Sequence, residues 1–280
     1  MIEQLVARVW PGGVDSFEVL GGGITNRNVK VRAGGESFVL RIGGKDTELL
    51  GIDRRVEHEA TRFAAELGIG PEVVAFVEPE GYLVTRFVEG EVGRVTTEEV
   101  ATLLRRVHAG PPIPGRFDAF RVVEAYAATV RRLGVSLPPA YAEAKATADE
   151  IERRRGPVEL RPCHNDLLAA NFIHGDDRIW IVDWEYAGMG DPAFDRANFA
   201  VNNGLDAAGD GALLHAYGGG ELDVHVLMRY MSDFREAMWG LVQQGIAELE
   251  FDFAAYAAQH FDRLEAAAAE PRFLAALGRR

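Results

Sequence analysis

Three oxygen-bearing side chains near the middle of the chain have the types and spacing that phosphoryl transfer requires. Asp166 is followed five residues later by Asn171, and a second carboxylate, Asp183, comes twelve residues after that. Phosphoryl transfer uses one carboxylate to accept the proton of the attacking hydroxyl, while an amide and another carboxylate bind Mg²⁺. Any one of these residues alone would be interpreted as a turn or a cap. Together, in this order, they predict a kinase-type site.

A β-hairpin is predicted to bring two of these residues together. The apolar runs Phe172 to His174 and Ile179 to Val182 read as strands, and Gly175-Asp176-Asp177 between them is typical of a turn. Asn171 precedes the first strand and Asp183 follows the second. Both side chains would therefore lie at the same end of the hairpin, as ligands of a shared metal must.

The first ninety residues predict strands around a single helix. Apolar residues on one face, from Val56 to Leu67, indicate a helix over Asp53 to Leu67. β-branched and aromatic runs bounded by glycine turns predict the strands Phe17 to Leu20, Asn28 to Arg32, Ser37 to Ile42, Val73 to Val77 and Tyr82 to Phe87.

Two features of this part of the chain point to nucleotide phosphates. The run Gly21 to Asn26 lies between two strands and predicts a flap whose backbone N–H groups approach phosphates, with a plain hairpin turn as the alternative. Arg41 is a charge in a strand otherwise suited to burial, so it needs a phosphate or a helix glutamate as partner. The alternative is a solvated charge on an edge strand. Glu57 and Glu59 lie about 200° apart on their helix, so only one faces the cleft.

Beyond Gly90 the pattern becomes helical. Thr96 and Glu99 form a predicted capping box, and Asp191-Pro192 predicts another helix start. The fold class is therefore α+β, with a β-rich nucleotide-binding lobe over residues 1–88 and an α-rich catalytic and acceptor-binding lobe over 89–280. A nucleotide would bind in the cleft between them. The other helices are predicted near Asp118 to Leu133, Pro139 to Arg154, Asp223 to Gln244 and Phe251 to Ala269.

Composition narrows the class of protein. The 280 residues are 48% hydrophobic and 26% charged, with no apolar run long enough to cross a membrane. A net charge of −13 argues against nucleic acid as a partner.

The start of the chain lacks the features of a signal peptide, and the single cysteine, Cys163, fits a reducing cytosol. We therefore expect a cytoplasmic protein, either a monomer or a homodimer. Cys163 next to His164 is interpreted as an inert core residue rather than a nucleophile.

From Gly21 to about Leu264 the sequence resembles the choline/ethanolamine kinase family, within the aminoglycoside-phosphotransferase and protein-kinase-like group. Its implied fold is the bilobal protein-kinase-like fold, with an N-terminal antiparallel sheet and one helix above a larger, mainly helical lobe. The segments that carry the resemblance are Gly22 to Asn26, Leu40-Arg41-Ile42, Ile52-Asp53-Arg54, Cys163 to Leu167, Asp183 to Ala187 and Phe194 to Asn198.

The resemblance implies ATP and Mg²⁺ as cofactors and a role for each matched residue. Asp166 would be the catalytic base and His164 a structural member of its loop, while Asn171 and Asp183 would bind Mg²⁺. Arg41, paired with Glu57, would contact the phosphates. The nucleotide would also meet the flap residues and the hinge that binds adenine, namely Gly22, Gly23, Thr25, Asn26, Thr85, Phe87 and Val88.

The implied acceptor is a small amino alcohol, with choline favoured over ethanolamine. A trimethylammonium group offers no N–H donor, so it is recognised by aromatic faces and negative charge. The matching residues are Asp166, Glu185, Tyr186, Asn202, Trp239 and Tyr256. Trp239 and Tyr256 also fit an ordinary helical core. Asn202 stands where the family usually has an acidic residue, and Val242 replaces a second tryptophan, which leaves the acceptor's identity open.

Two other functions are compatible with the same residues. An aminoglycoside or other antibiotic kinase would need several carboxylates, and the C-terminal half contains Asp206, Asp210, Glu221, Asp223, Asp233, Glu236, Glu248 and Glu250, most of them expected on solvated helix faces. A non-catalytic nucleotide- or choline-binding module is the third hypothesis. It is ranked last because a degenerate kinase usually lacks the base or a metal ligand.

Overall fold

A computed structural model describes residues 2–21, 26–93, 95–247 and 251–278. Its N-terminal part is a five-stranded antiparallel sheet with the order β1-β2-β3-β5-β4. The strands are β1 (Ser16–Leu20), β2 (Arg27–Ala33), β3 (Glu36–Ile42), β4 (Val73–Val77) and β5 (Tyr82–Arg86). Each coincides with a predicted strand to within a residue or two. The chain turns from β2 to β3 at Gly34 and Gly35, both of which have the positive φ that glycine adopts without strain.

Two helices flank this sheet. Helix α2 (Arg54–Glu66) begins at Asp53, whose side chain accepts hydrogen bonds from the backbone N–H groups of Arg55 and Val56. Helix α1 (Ile2–Val9), absent from the sequence prediction, buries Val6 in a small core with the sheet residues Val29, Val31, Phe38, Leu40 and Val84.

The remainder of the chain is mainly helical, as predicted. Residues of several of these helices, the longest of which covers Leu222–Ile246, pack into one large apolar core. The predicted capping box is present, because Thr96 accepts a hydrogen bond from Glu99 N–H and the Glu99 carboxylate accepts one from Thr96 N–H. The helices are α3 (Thr97–His108), α4 (Ala119–Arg132), α5 (Ala140–Arg155), α6 (Pro192–Asn202), α7 (Ala207–Tyr217), α8 (Leu222–Ile246), α9 (Phe253–Ala268) and α10 (Pro271–Ala276).

Short strands form the floor of the cleft. The predicted hairpin consists of β8 (Phe172–His174) and β9 (Ile179–Ile181), and β6 (Glu91–Val92) pairs with β8 on its other side. A second pair joins β7 (Arg161–Cys163) to β10 (Gly188–Gly190), one before the loop of Asp166 and the other after the turn that follows Asp183. The pairing of β7 with β10 therefore joins the two ends of the segment that contains the candidate catalytic residues.

The lobe boundary between residues 88 and 89 stays a prediction. Strands β5 and β6, on either side of it, belong to different sheets. Within the described ranges, every helix is too short or too polar to form a transmembrane span.

Candidate active site

The loop of Asp166 is held from below by helix α6. Asp195, on that helix, is fully buried, and its carboxylate accepts hydrogen bonds from the backbone N–H groups of His164 (2.9 Å) and Asn165 (2.6 Å). Asn198, one turn further on, accepts a bond from Leu167 N–H at 2.6 Å. Burial would raise the pKa of Asp195, but its hydrogen bond and charge interaction with His108 lower that pKa overall. Three backbone donors of residues 164–167 are therefore anchored to one helix.

His164 is buried within this loop and contacts both the backbone of Asp166 and the segment before Asp183. Its Nε2 lies 3.0 Å from the carbonyl oxygen of Val182, and its Nδ1 lies 3.2 Å from the backbone nitrogen of Asp166. The ring packs edge-on against Trp184, with centroids 4.7 Å apart. Burial lowers the pKa of His164, which favours the neutral ring. His164 thus ties the Asp166 loop to the strand that leads to Asp183.

Asn171 and Asp183 lie at the same end of the hairpin, as predicted. The backbone N–H of Val182 donates to the carbonyl oxygen of Asn171 at 2.9 Å. The Asn171 amide nitrogen donates to the Asp166 carbonyl oxygen at 2.8 Å, which leaves the amide oxygen available as a ligand. Asp183 has φ of 68°, a left-handed conformation that L-residues other than glycine adopt at a cost of about 1 kcal/mol. Such strain often accompanies function.

Arg41 reaches from β3 into this group of carboxylates. Its Nε lies 2.6 Å from Glu57 Oε1, and its Nη2 pairs with Asp183 and lies 3.1 Å from Glu185 Oε2. Burial alone would lower the pKa of Arg41, but the charges of Asp183, Glu57 and Glu185 hold it well above the ordinary value. Glu57 is buried and Glu59 is partly exposed, so the helix presents one of the two glutamates, as its geometry requires.

Arg54 is a residue of this network to which the sequence assigned no role. Its guanidinium lies 2.7 Å from Glu57 and 3.1 Å from Glu185, and it donates to the Asn26 side-chain oxygen at 3.0 Å. Asn26 in turn donates to Glu185 at 2.7 Å. The available signal was the position of Arg54 in the first turn of α2, one residue after the cap Asp53, on the face that Glu57 shares.

A cleft of about 350 Å³ opens beside Arg41. Thr85, Phe87 and Val88 line it, so the predicted hinge faces this space. Asn171 and Asp183 line the same cleft. The predicted flap residues Gly22, Gly23 and Thr25 are outside the described part of the chain.

Asp166 occupies a buried and negatively charged environment. Burial raises the pKa of Asp166 to about 7; the Arg235 charge opposes this effect, and the charges of Glu236, Asp183 and Glu185 add to it. Glu185 behaves similarly, since burial and then the charge of Asp183 raise its pKa to about 7.

The three aromatic residues predicted for the acceptor pocket lie together. Trp239, on α8, donates its ring N–H to the hydroxyl oxygen of Tyr186 at 3.0 Å. The Trp239 and Tyr256 rings meet edge-on with centroids 5.6 Å apart, although they come from successive helices. Tyr256 donates its hydroxyl to Glu236 at 2.8 Å. A buried carboxylate therefore accompanies the aromatic faces.

Arg235 completes this group and was missed by the sequence reasoning. It is 1% exposed, its Nη1 lies 3.1 Å from Asp166 Oδ1, and it also pairs with Glu236. Its guanidinium carbon lies 4.2 Å from the centroid of the Tyr186 ring. Burial would lower the pKa of Arg235, but the charges of Glu236 and Asp166 hold it well above the ordinary value. An arginine followed by a glutamate inside a helix gives no sequence signal, because such pairs are common on solvated faces.

Asn202 is the remaining residue predicted for the acceptor site. It is the last residue of α6, is partly buried, and has a side-chain nitrogen without a hydrogen-bond partner among the described residues. Its neighbour Asn203, by contrast, donates to the Leu167 carbonyl oxygen at 3.0 Å. The role of Asn202 stays a prediction.

With this geometry in place, comparison with known proteins identifies the family. The profile of the phosphotransferase enzyme family (APH) matches residues 16–234. The chain belongs to this family. The structure is also similar to that of a choline/ethanolamine kinase family protein from Mesorhizobium loti, with a TM-score of 0.81 and 30% identity over 99% of this chain and 98% of the other. The predicted resemblance, the kinase-like fold and the phosphotransferase class are confirmed.

Two relatives called LicA extend the comparison. The crystal structure of choline kinase LicA from Streptococcus pneumoniae superposes with a TM-score of 0.84, at 22% identity, over 96% of this chain and 99% of that one. At this level of identity the similarity concerns the fold. Protein LicA from Haemophilus influenzae is 30% identical over 207 residues, which are 70% of this chain and 61% of LicA.

Proposed function

We propose that the protein transfers the γ-phosphoryl group of ATP to the hydroxyl of a small amino alcohol, choline or ethanolamine. One observation carries this proposal: Asp166 lies between the open cleft with its two candidate metal ligands and the aromatic group with its buried carboxylate. A group that accepts a proton from a hydroxyl is needed at such a junction. The names of the similar proteins, choline/ethanolamine kinase family protein and choline kinase LicA, support the same reaction.

The nucleotide side is assigned to the cleft below the five-stranded sheet. The backbone of Thr85 to Val88 would bind adenine, and Arg41 would contact the phosphates, held in place by Glu57. In this assignment residues 1–88 supply most of the nucleotide site and residues 89–280 supply the catalytic and acceptor groups. A bidentate guanidinium matches phosphate oxygens in shape and charge, which supports the role of Arg41.

Asn171 and Asp183 would bind Mg²⁺. Their free amide oxygen and carboxylate are the hard oxygen ligands that this ion prefers, and both lie on the wall of the nucleotide cleft. When bound, the metal supplies positive charge to the nucleotide phosphates. The ion pair between Asp183 and Arg41 already shows that this carboxylate attracts a cation.

Asp166 would orient the acceptor hydroxyl and take its proton during in-line attack on the γ-phosphorus. The anchoring of its loop on Asp195 and Asn198 fixes the position of this carboxylate before substrate binds, and such positioning lowers the barrier to transfer. The acceptor's ammonium group would lie among Tyr186, Trp239 and Tyr256, near Glu236. Each aromatic face contributes about 0.5 to 2 kcal/mol to the binding of a cation.

A coupled assay of ADP release with choline, ethanolamine and kanamycin as acceptors tests the proposal. We expect ATP- and Mg²⁺-dependent turnover with the amino alcohols and little with kanamycin, whose several ammonium groups need more carboxylates than this pocket presents. Efficient turnover with kanamycin alone would replace the proposal by an antibiotic kinase. Choline binding without ADP release would point to a non-catalytic module.

A further inference from the structure

The guanidinium of Arg235 has the surroundings that an ammonium ligand requires. It stacks on the Tyr186 ring at 4.2 Å, pairs with the carboxylate of Glu236, and is shielded from water. An aromatic face, a nearby anion and a dry environment are the features by which a protein recognises an organic cation. Trp239 donates a hydrogen bond to Tyr186, and Tyr256 donates one to Glu236, so both partners of the guanidinium are held in place.

Arg235 is less completely bonded than a buried structural arginine would be. Its Nε and Nη2 are buried without a hydrogen-bond partner in the described part of the chain, and its two carboxylate partners share the single nitrogen Nη1. A buried donor without a partner is destabilising, because it has lost its hydrogen bond to water and gained none in the protein. Arg229, on the same helix, differs: it donates to Asp210 through Nη1 and to the Leu205 carbonyl oxygen through Nη2. The guanidinium of Arg235 is therefore held chiefly by charge and by the aromatic ring.

Two cations cannot share this space. Like charges a few ångströms apart repel strongly where little water is present to screen them. The carboxylates of Asp166 and Glu236 both pair with Nη1 of Arg235, so an ammonium group that approaches either carboxylate also approaches the guanidinium. An incoming ammonium group must take the place of the guanidinium.

We propose that Arg235 is a specificity-determining residue of the acceptor site: its guanidinium holds the position over Tyr186 and against Glu236 that the ammonium group of the acceptor takes, so a cationic acceptor binds by exchange with it. The inference rests on the proposed function, because it assumes an amino-alcohol acceptor at this pocket. The pocket therefore already binds a cation that belongs to the protein, which lowers its affinity for a free ammonium ligand. Arg235 thereby weakens acceptor binding and limits the site to acceptors whose cation outcompetes a guanidinium.

The test is a calorimetric titration of the whole protein with choline, without nucleotide and at constant ionic strength. Replacing Arg235 with glutamine removes the charge and retains polar atoms, and we expect choline to bind about tenfold more tightly, since a buried charge pair no longer has to be broken. Arg235→Lys retains the charge and is expected to remain within about threefold of the wild type. Arg229→Met, a matched removal of charge from the same helix, is expected to leave choline binding unchanged.

The sign of the change separates this role from a purely structural one. Loss of a structural arginine loosens the site and weakens choline binding, so weaker or unchanged binding in Arg235→Gln would overturn the proposal. Equal tightening in Arg235→Lys would also overturn it, because the cause would then be space rather than charge. If Arg235→Gln does not fold, Arg235→Met is the second neutral variant and is held to the same criteria.

The same titration is independent of catalysis. If the wild type releases no ADP with any amino alcohol, the proposed function fails, while the ranking of choline affinities still decides the role of Arg235. Choline binding seen only in the neutral variants would support exchange, and no binding in any variant would reject it.

Discussion

The nucleotide side and the acceptor side of the site each contain a buried arginine among carboxylates, but the two arginines stand in opposite relations to the proposed ligands. Arg41 lies beside an open cleft of about 350 Å³ and contacts Glu57, Asp183 and Glu185. Arg235 lies against an aromatic ring and contacts Asp166 and Glu236. A phosphate is opposite in charge to Arg41, whereas an ammonium group has the same charge as Arg235.

A buried arginine can therefore strengthen or weaken ligand binding, depending on the charge of the ligand. A ligand of opposite charge adds to the existing network, so the arginine can remain in place and contribute to affinity. A ligand of like charge has to replace the arginine, so the same side chain reduces affinity. Removal of the Arg41 guanidinium should therefore weaken nucleotide binding, whereas removal of the Arg235 guanidinium should strengthen acceptor binding. The mutations below test the separate parts of this comparison.

The largest effect is expected at Asp166, where the two sides meet. Asp166→Ala removes the proposed base and should lower kcat by about 10²- to 10⁴-fold, since a positioned proton acceptor contributes a factor of this size. ATP binding should be largely retained, because the side chains proposed to bind the nucleotide line the cleft and Asp166 is not among the residues that line it. Steady-state ADP release and a nucleotide titration measure the two quantities. Near-normal turnover would reject the assignment of the base.

Asp183→Ala should act on the nucleotide side alone. We expect Mg²⁺-dependent ATP binding to weaken by about 10- to 100-fold, the usual cost of disturbing a metal site. Titration with ATP in the presence and absence of Mg²⁺ measures it. Asp177→Ala is the matched control, because Asp177 lies in the turn of the same hairpin and is exposed. An unchanged dissociation constant in Asp183→Ala would count against its role as a ligand.

Trp239→Leu should act on the acceptor side alone. The loss of one aromatic face, and of the hydrogen bond that orients Tyr186, should raise KM for choline by about 2- to 30-fold with little change in KM for ATP. Trp180→Leu, a replacement of the partly exposed tryptophan of β9, serves as the control. If KM for ATP rises as much as KM for choline, the two sides are not separable in the way proposed.

The smallest effect belongs to a residue outside both sides. Thr96→Ala removes the side-chain half of the capping box of α3 and should lower the free energy of unfolding by about 1 kcal/mol. Both KM values should stay at their wild-type levels. Thermal or urea unfolding measures the first quantity and the ADP assay the second; a kinetic change would show that α3 is coupled to the site.

Local patterns allowed much of the site to be predicted. Asp166, Asn171 and Asp183 were found because a short hairpin converts sequence spacing into proximity. Arg41 was singled out because a charge inside an apolar strand requires a partner; its pairing with Glu57 was predicted, whereas its contacts with Asp183 and Glu185 were not. The capping box and the Asp191-Pro192 start were found because they depend on residues only a few positions apart.

Some elements were missed because their signals are weak or not local. Helix α7 contains two glycines, Gly209 and Gly211, so its sequence resembles a loop. Helices α1 and α10 are short and lie near the ends of the sequence, where helical patterns are weak. Arg54 connects Glu57 with Glu185, which are 128 residues apart in sequence, and nothing near Arg54 indicates this. His108 and Asp195 likewise meet only through the packing of α3 against α6.

The sequence by itself determined the hairpin, the strands of the N-terminal sheet and most of the helices, and it singled out the candidate catalytic and metal-binding residues, because each depends on residue types at short separations. Tertiary structure alone decided which charges share a pocket. Arg235 and Glu236 look like neighbours on any polar helix, and only the packing of α8 brings Arg235 against Asp166 and Tyr186 and Glu236 against Tyr256. Burial then determines how strongly these charges interact, and burial is a property of the whole fold.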